Sequence, residues 1–186
     1  IPVIYGIFYF YPFVLALVAV YLYGEKFSIN RKIAVGLGTV GSLFAIEFLP
    51  TFSTEALNAP GVLLCVVAVA AWVGYLLVGQ TIVKKYKPLT IVFYDFLQVF
   101  VYVSLLQSPA TTISQLTTHN LLAILYIAIV ASYIAYLAYW TAIKYIGASN
   151  AGVGELCFGS FFAVIIAYFF LDTAPSVYQL LGLGLL

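Results

Sequence analysis

Seven long apolar runs constrain the fold of this chain more than any other feature of its sequence. Of its residues, 65% are hydrophobic and 7% are charged, with a mean hydropathy of +1.15. Soluble domains carry about a quarter charged residues, and a helix needs about 20 apolar residues to cross a bilayer. Because the runs are unbroken rather than alternating in polarity, they predict membrane-spanning helices and not barrel strands. The seven runs are 1–23, 33–49, 61–83, 88–106, 121–146, 151–171 and a last one that starts at Val177.

Basic residues occur in alternate connections between these runs. The connections 50–60, 108–119 and 172–176 contain neither Lys nor Arg. By the positive-inside rule, the basic connections are predicted to be cytoplasmic and the other three to face outward. The basic residues are Lys26, Arg31 and Lys32 after the first run, Lys84, Lys85 and Lys87 after the third, and Lys144 at the end of the fifth.

The first and last parts of the chain share a weak internal repeat. With a shift of 148 positions, residues 1–38 align with 149–186, and Gly6, Phe10 and Gly36 meet identical residues. The charge pattern sends the first run from outside to inside and the run 151–171 from inside to outside. The two copies are therefore predicted to be inverted, which is typical of secondary transporters.

Three short motifs carry a family resemblance. A Gly-Glu-Lys-Phe-Ser turn occupies 24–28, a Lys-Tyr-Lys-Pro-Leu-Thr loop occupies 85–90, and 138–149 ends in Ile-Lys-Tyr-Ile-Gly-Ala-Ser. Together these motifs resemble EamA-type repeats of the drug/metabolite transporter superfamily. One departure is that the second copy has Asp172-Thr173 where the first has Gly24-Glu25. Any role of that glutamate therefore does not transfer to the second copy.

The resemblance implies an all-α integral membrane protein with ten helices in two inverted five-helix repeats. About seven of those ten transmembrane segments would be present. Residues 1–49 would be the last two helices of the first repeat, and 60–186 would be the second repeat with its final helix truncated. The chain is expected to be a fragment on this scheme, and the family is not one of enzymes.

Two acidic residues lie deep within predicted spans, where ionisable groups are costly and often functional. Asp95 lies about two turns into its helix, where Gln98 and Tyr102 extend a polar stripe along the same face. Glu155 lies near the start of another helix, just after Gly152 and Gly154, where we expect that helix to loosen. Structural roles, such as a hydrogen bond between helices or contact with the membrane interface, remain alternatives for both acids.

Aromatic residues on shared helix faces form the second candidate set. The predicted faces are Tyr5, Phe8, Tyr9 and Pro12; Trp72, Tyr75 and Gly79; and Tyr133, Tyr136 and Trp140. Aromatic helix faces that carry a few hydroxyl or indole N–H groups suit a cavity for small organic molecules, and an acid among them suits a cation. Simple packing and the aromatic belt at the membrane interface are the alternatives. The full set of predicted substrate-binding residues is Tyr5, Tyr9, Trp72, Tyr75, Asp95, Gln98, Tyr136, Trp140 and Glu155.

The sequence also disfavours several kinds of ligand. No Lys or Arg lies in the middle of a predicted span, so a dianionic phosphate would find no fixed counter-charge. Cys65 and Cys157 lie in apolar runs, where a thiol usually behaves as a small buried hydrophobe. We therefore predict no metal, no cofactor and no nucleic-acid partner.

These observations predict a multi-pass plasma-membrane carrier that moves small neutral, zwitterionic or cationic metabolites outward by alternating access. Its partners would be the substrate and the lipid bilayer, with protons as a candidate coupling ion; oligomeric state is left open. One alternative is an intramembrane aspartyl-type protease, because Tyr94-Asp95 and Gly152-Val153-Gly154-Glu155 resemble its paired motifs. That alternative has a glutamate in place of the second aspartate. Another alternative is a non-transporting structural or channel subunit.

Overall fold

The computed structural model describes residues 6–24, 28–48, 58–106 and 117–186, and within these ranges it contains helices and no strand. The prediction of an all-α protein is therefore confirmed. Each of the seven apolar runs contains a helix. The elements are α1 (Tyr11–Tyr23), α2 (Ile29–Ala45), α3 (Ala59–Val83), α4 (Pro88–Leu106), α5 (Thr118–Tyr126), a π-helical segment (Ile127–Ile134), α6 (Ala135–Ile146), α7 (Ala148–Leu171) and α8 (Val177–Leu185).

Five helical stretches in the described residues are long and apolar enough to cross a membrane. The α2 helix contributes a shorter apolar stretch, Lys32–Ala45. The five longer stretches are Gly6–Tyr23, Ala59–Val83, Pro88–Leu106, Asn120–Ile146 and Ala148–Phe170.

Local sequence explains where several helices begin and end. Pro12 occupies the first turn of α1, where its missing N–H costs nothing, and Gly24 ends that helix with a left-handed φ of 62°. Ser176 caps α8 in a capping box with Gln179, since each side chain accepts a hydrogen bond from the other residue's backbone N–H. The ends of α1 and the start of α8 thus coincide with residues that commonly begin or end helices.

The π-helical segment between α5 and α6 was not predicted. Residues 121–146 contain neither glycine nor proline, so no residue in the run indicates an irregular helix. Because π-helical turns change the angular spacing of side chains, residues before Ile127 and after Ile134 do not follow one continuous α-helical face. The predicted shared face of Tyr133, Tyr136 and Trp140 begins inside this segment.

The chain divides into two compact units. The first contains Ile1–Gly79 and Gly147–Leu186, and the second contains Gln80–Ile146. In the first unit, α2 packs against α7 and α8, and α1 packs against α7. In the second unit, α4 packs against α6. Assignment of 1–49 and 60–186 to separate repeats stays a prediction, because packing does not test sequence repeats.

Close backbone packing joins α2 and α8 in the first unit. A Cβ atom on Gly182 would lie 2.6 Å from the carbonyl oxygen of Gly41 and from the backbone nitrogen of Ala45. Near the other end of α8, the Tyr178 ring stacks on Phe44 with 6.3 Å between centroids. Since Gly41 also lies close to Leu185, the two helices run antiparallel. An inverted repeat requires this antiparallel direction of α2 and α8, which are the second helices of its two predicted copies.

Candidate functional site

The first candidate centre is a hydrogen bond between α1 and α7. The Tyr11 hydroxyl donates to Oε2 of Glu155 at 2.5 Å, and the carbonyl oxygen of Gly152 lies 3.5 Å from the same hydroxyl. Tyr11 is 3% exposed, whereas Glu155 is exposed. A buried donor thus fixes one oxygen of a carboxylate that remains accessible on the surface of the unit.

Gly152 allows this approach of the two helices. A Cβ atom at that position would lie 3.3 Å from the Tyr11 ring and 3.3 Å from Cδ2 of Leu15. The helix α7 continues without interruption past both Gly152 and Gly154, so the expected loosening of the helix is not observed. The glycine instead provides room for the tyrosine that holds Glu155.

An aromatic cluster, formed by Phe8, Tyr11, Trp72 and Tyr75, adjoins this hydrogen bond. The Trp72 ring lies 6.4 Å from Tyr11 in an edge-on arrangement, 6.2 Å from Phe8 and 5.3 Å from Tyr75, measured between centroids. The Nε1 atom of Trp72 is buried and has no hydrogen-bond partner in the described part of the chain. The cluster thus places aromatic rings and an unsatisfied donor beside the residue that holds the Glu155 carboxylate.

The second candidate centre lies within the second unit. The Trp140 indole donates through Nε1 to Oδ2 of Asp95 at 3.1 Å. Trp140 is 1% exposed, and Asp95 is half-buried. The neighbouring rings of Phe96 and Tyr136 lie 5.7 Å apart. An aromatic donor from another helix thus holds this acid as well.

The structure divides the predicted binding residues between these two centres. Trp72, Tyr75 and Glu155 belong to the first, and Asp95, Tyr136 and Trp140 belong to the second. Gln98 has an exposed side chain that makes no hydrogen bond with a described residue. Tyr9 is half-buried in the turn before α1, and Tyr5 lies outside the described residues.

Sequence reasoning missed Tyr11, the residue that contacts Glu155 directly. The aromatic pattern favoured a face containing Tyr5, Phe8 and Tyr9. Tyr9 and Phe10 form a turn, however, and α1 begins only at Tyr11. The alignment of the two copies also gave no direct signal, because the hydrogen-bonded residues are 144 positions apart and the copies align with a shift of 148 positions.

A large apolar groove lies on the second unit beside α4 and the π-helical segment. Its volume is about 700 Å³, and no carboxylate or basic side chain lines it. In a membrane, such a surface suits lipid or another apolar helix. Its lining consists of Leu89, Thr90, Phe93, Tyr94, Phe96, Leu97, Phe100 and Tyr133.

No group of three His, Cys, Asp or Glu side chains within the described ranges is placed to hold a metal ion. Cys65 and Cys157 are both free thiols with half-buried side chains.

Comparison with known proteins identifies the family. The model of the EamA-like transporter family matches residues 59–186, which is more than half of the chain. No curated protein and no solved structure matched the chain. Family membership implies a small-molecule substrate and a lipid environment, and it favours transport over the intramembrane protease alternative. The chain thus belongs to the EamA-like transporter family, as its turn and loop motifs predicted.

Proposed function

We propose that the protein is a secondary transporter that moves small neutral, zwitterionic or cationic metabolites outward across the plasma membrane. Alternating access of two inverted repeats would provide the route, and a proton would be the coupling ion. The observation that carries this proposal is the hydrogen bond between Tyr11 and Glu155 inside two predicted spans.

The position of Glu155 argues for a functional rather than a structural acid. Glu155 lies seven residues beyond the start of α7, or about 10 Å along the helix. An exposed carboxylate at that depth has a high free-energy cost in lipid. Contact with water, a proton or a cationic partner lowers that cost. No hydrogen bond or ion pair connects its Oε1 atom with a described residue. That oxygen is therefore suited to bind a proton or a cationic group of the substrate.

Tyr11 gives this carboxylate a fixed orientation. Its hydroxyl holds Oε2 from a buried position, so the remaining oxygen keeps one direction without needing a basic residue. A lysine or arginine in that role would neutralise the carboxylate and remove its attraction for a cation. A phenol retains the charge while restricting the geometry.

The aromatic cluster extends the binding chemistry beyond the carboxylate. Ring faces attract organic cations, and the apolar edges accept hydrocarbon parts of a substrate. The unsatisfied Trp72 N–H would gain a partner from a substrate that carries a hydrogen-bond acceptor, since a buried donor without one is unfavourable. These features support an amine or zwitterion more than a phosphate.

The test is flux in proteoliposomes that contain the full-length protein, with and without a pH gradient. A radiolabelled panel would include ethanolamine, a neutral amino acid and an organic phosphate. We expect flux of an amine or zwitterion, stimulated by the gradient. Glu155→Gln should reduce that flux at least about tenfold, because it removes a charge-assisted contact.

Asp172→Asn is the matched control, because it neutralises another acid on the same stretch of chain, where α7 ends. Asparagine tolerates the left-handed backbone of that residue, whose φ is 49°. Unchanged flux in Glu155→Gln would remove this residue from the mechanism. Absence of flux for the whole panel, with correctly folded protein, would contradict the proposed cargo.

A further inference from the structure

A cavity within the second unit shares no described lining residue with the Glu155 centre. Its volume is about 370 Å³, within the range of small-molecule sites. It extends from the connection between α3 and α4 to Asp95, about two helical turns into α4. The lining residues are Ile82, Tyr86, Thr90, Ile91, Tyr94 and Asp95.

Among the described residues, the lining of this cavity contains one carboxylate and three hydroxyl groups. Asp95 is the acid in its lining, and the lining side chains of Thr90, Tyr86 and Tyr94 carry hydroxyl groups. Trp140, which is almost fully buried, holds Oδ2 of Asp95 from α6. The carboxylate is therefore positioned by the fold rather than free to turn toward solvent.

Basic residues neighbour the lining residue Tyr86 in the connection between α3 and α4. Tyr86 lies in the connection, between Lys85 and Lys87, and Lys84 precedes them; all three lysines are exposed. The connection and Asp95 are separated by about 10 Å of helix rise, measured from Pro88. An acid in the lining and basic residues in the adjoining connection complement a ligand that carries both signs.

We propose that this cavity is a second binding site, which accepts a zwitterion with its ammonium group toward Asp95 and its anionic group toward Lys84, Lys85 and Lys87. By the charge pattern, its entrance faces the side predicted to be cytoplasmic. The site would collect zwitterionic compounds at the membrane surface. It does not depend on Glu155, and its occupancy can be measured without transport.

Isothermal titration of the full-length protein in lipid nanodiscs tests the proposal. All proteins would carry Glu155→Gln, so that the proposed transport centre does not contribute. The probe is 6-aminohexanoate, which has an ammonium and a carboxylate at opposite ends. Hexylamine and hexanoate are matched probes that each retain one of the two charges.

We expect 6-aminohexanoate to bind more tightly than either matched probe. Adding Asp95→Asn should weaken its binding at least about tenfold, because one charge-assisted contact is lost. Asparagine keeps an oxygen that accepts from Trp140, so the helix contact is retained. The combined change Lys84→Gln, Lys85→Gln and Lys87→Gln should weaken binding of 6-aminohexanoate but not of hexylamine.

Three results would overturn the proposal. The first is no binding of 6-aminohexanoate, and the second is equal affinity with and without Asp95→Asn. The third is an affinity for hexylamine as high as for the zwitterion, which would exclude a role of the lysines. Failure of transport in the flux assay would leave this binding measurement unaffected, so the two proposals can fail separately.

Discussion

The two units of the molecule hold an acid in the same way but expose it differently. In the first, buried Tyr11 donates to exposed Glu155; in the second, buried Trp140 donates to half-buried Asp95. The first hydrogen bond joins residues from the two ends of the chain, whereas the second joins residues 45 positions apart. An aromatic donor thus orients each carboxylate, and the surroundings decide what each acid can bind.

The packing of the two units differs as well. One third of the hydrophobic window in Gly6–Tyr23 is buried, compared with none in Asn120–Ile146. The first unit also contains the close backbone packing of α2 against α8. The exposed apolar helices of the second unit suit contact with lipid or further protein. We therefore expect the first unit to be the more sensitive to added volume.

The largest expected effect concerns the contact between α2 and α8. Gly182→Ala should lower the free energy of unfolding by about 1–3 kcal/mol, because its methyl group would meet the backbone of Gly41 and Ala45. Gly184→Ala is the matched control, since nothing lies within 4 Å of an added Cβ there. Thermal unfolding in detergent would compare the two. Equal destabilisation by both changes would contradict the described packing.

The next effect concerns the donor to Glu155. Tyr11→Phe keeps the ring but removes the hydroxyl, and flux should fall about tenfold because a carboxylate loses a hydrogen bond worth about 1.5–3 kcal/mol. Trp140→Phe makes the corresponding change in the second unit and should affect flux less. If Trp140→Phe caused the larger loss of flux, the assignment of transport to the first unit would be wrong.

The smallest effect concerns the unsatisfied Trp72 donor. Trp72→Phe retains an aromatic ring and should raise KM severalfold for an amine that carries a hydroxyl or carbonyl group. An amine of similar size without an acceptor should be unaffected. Initial rates over a range of substrate concentrations would measure both values. A similar change for both amines would show that the indole N–H does not select the substrate.

Much of the architecture could be predicted from sequence, because membrane-spanning helices require long apolar runs. The same reasoning identified Asp95 and Glu155, since acids within such runs are rare and costly. Tyr11 could not be identified, because its role depends on a tertiary contact across 144 positions and on the turn before α1. The π-helical segment lacks any glycine or proline to mark it. The apolar runs therefore located both acids, and the aromatic pattern included Trp140, but neither predicted the contact of Tyr11 with Glu155.

In the proposed mechanism, Glu155 is the group that contacts the transported compound. Dicyclohexylcarbodiimide modifies protonated carboxylic acids in apolar surroundings, and mass spectrometry can locate the modification. In the full-length protein, we predict modification of Glu155 that slows as the transported amine or zwitterion approaches saturation, with no such protection at Asp172. Modification of Glu155 at an unchanged rate under saturating substrate would contradict the account.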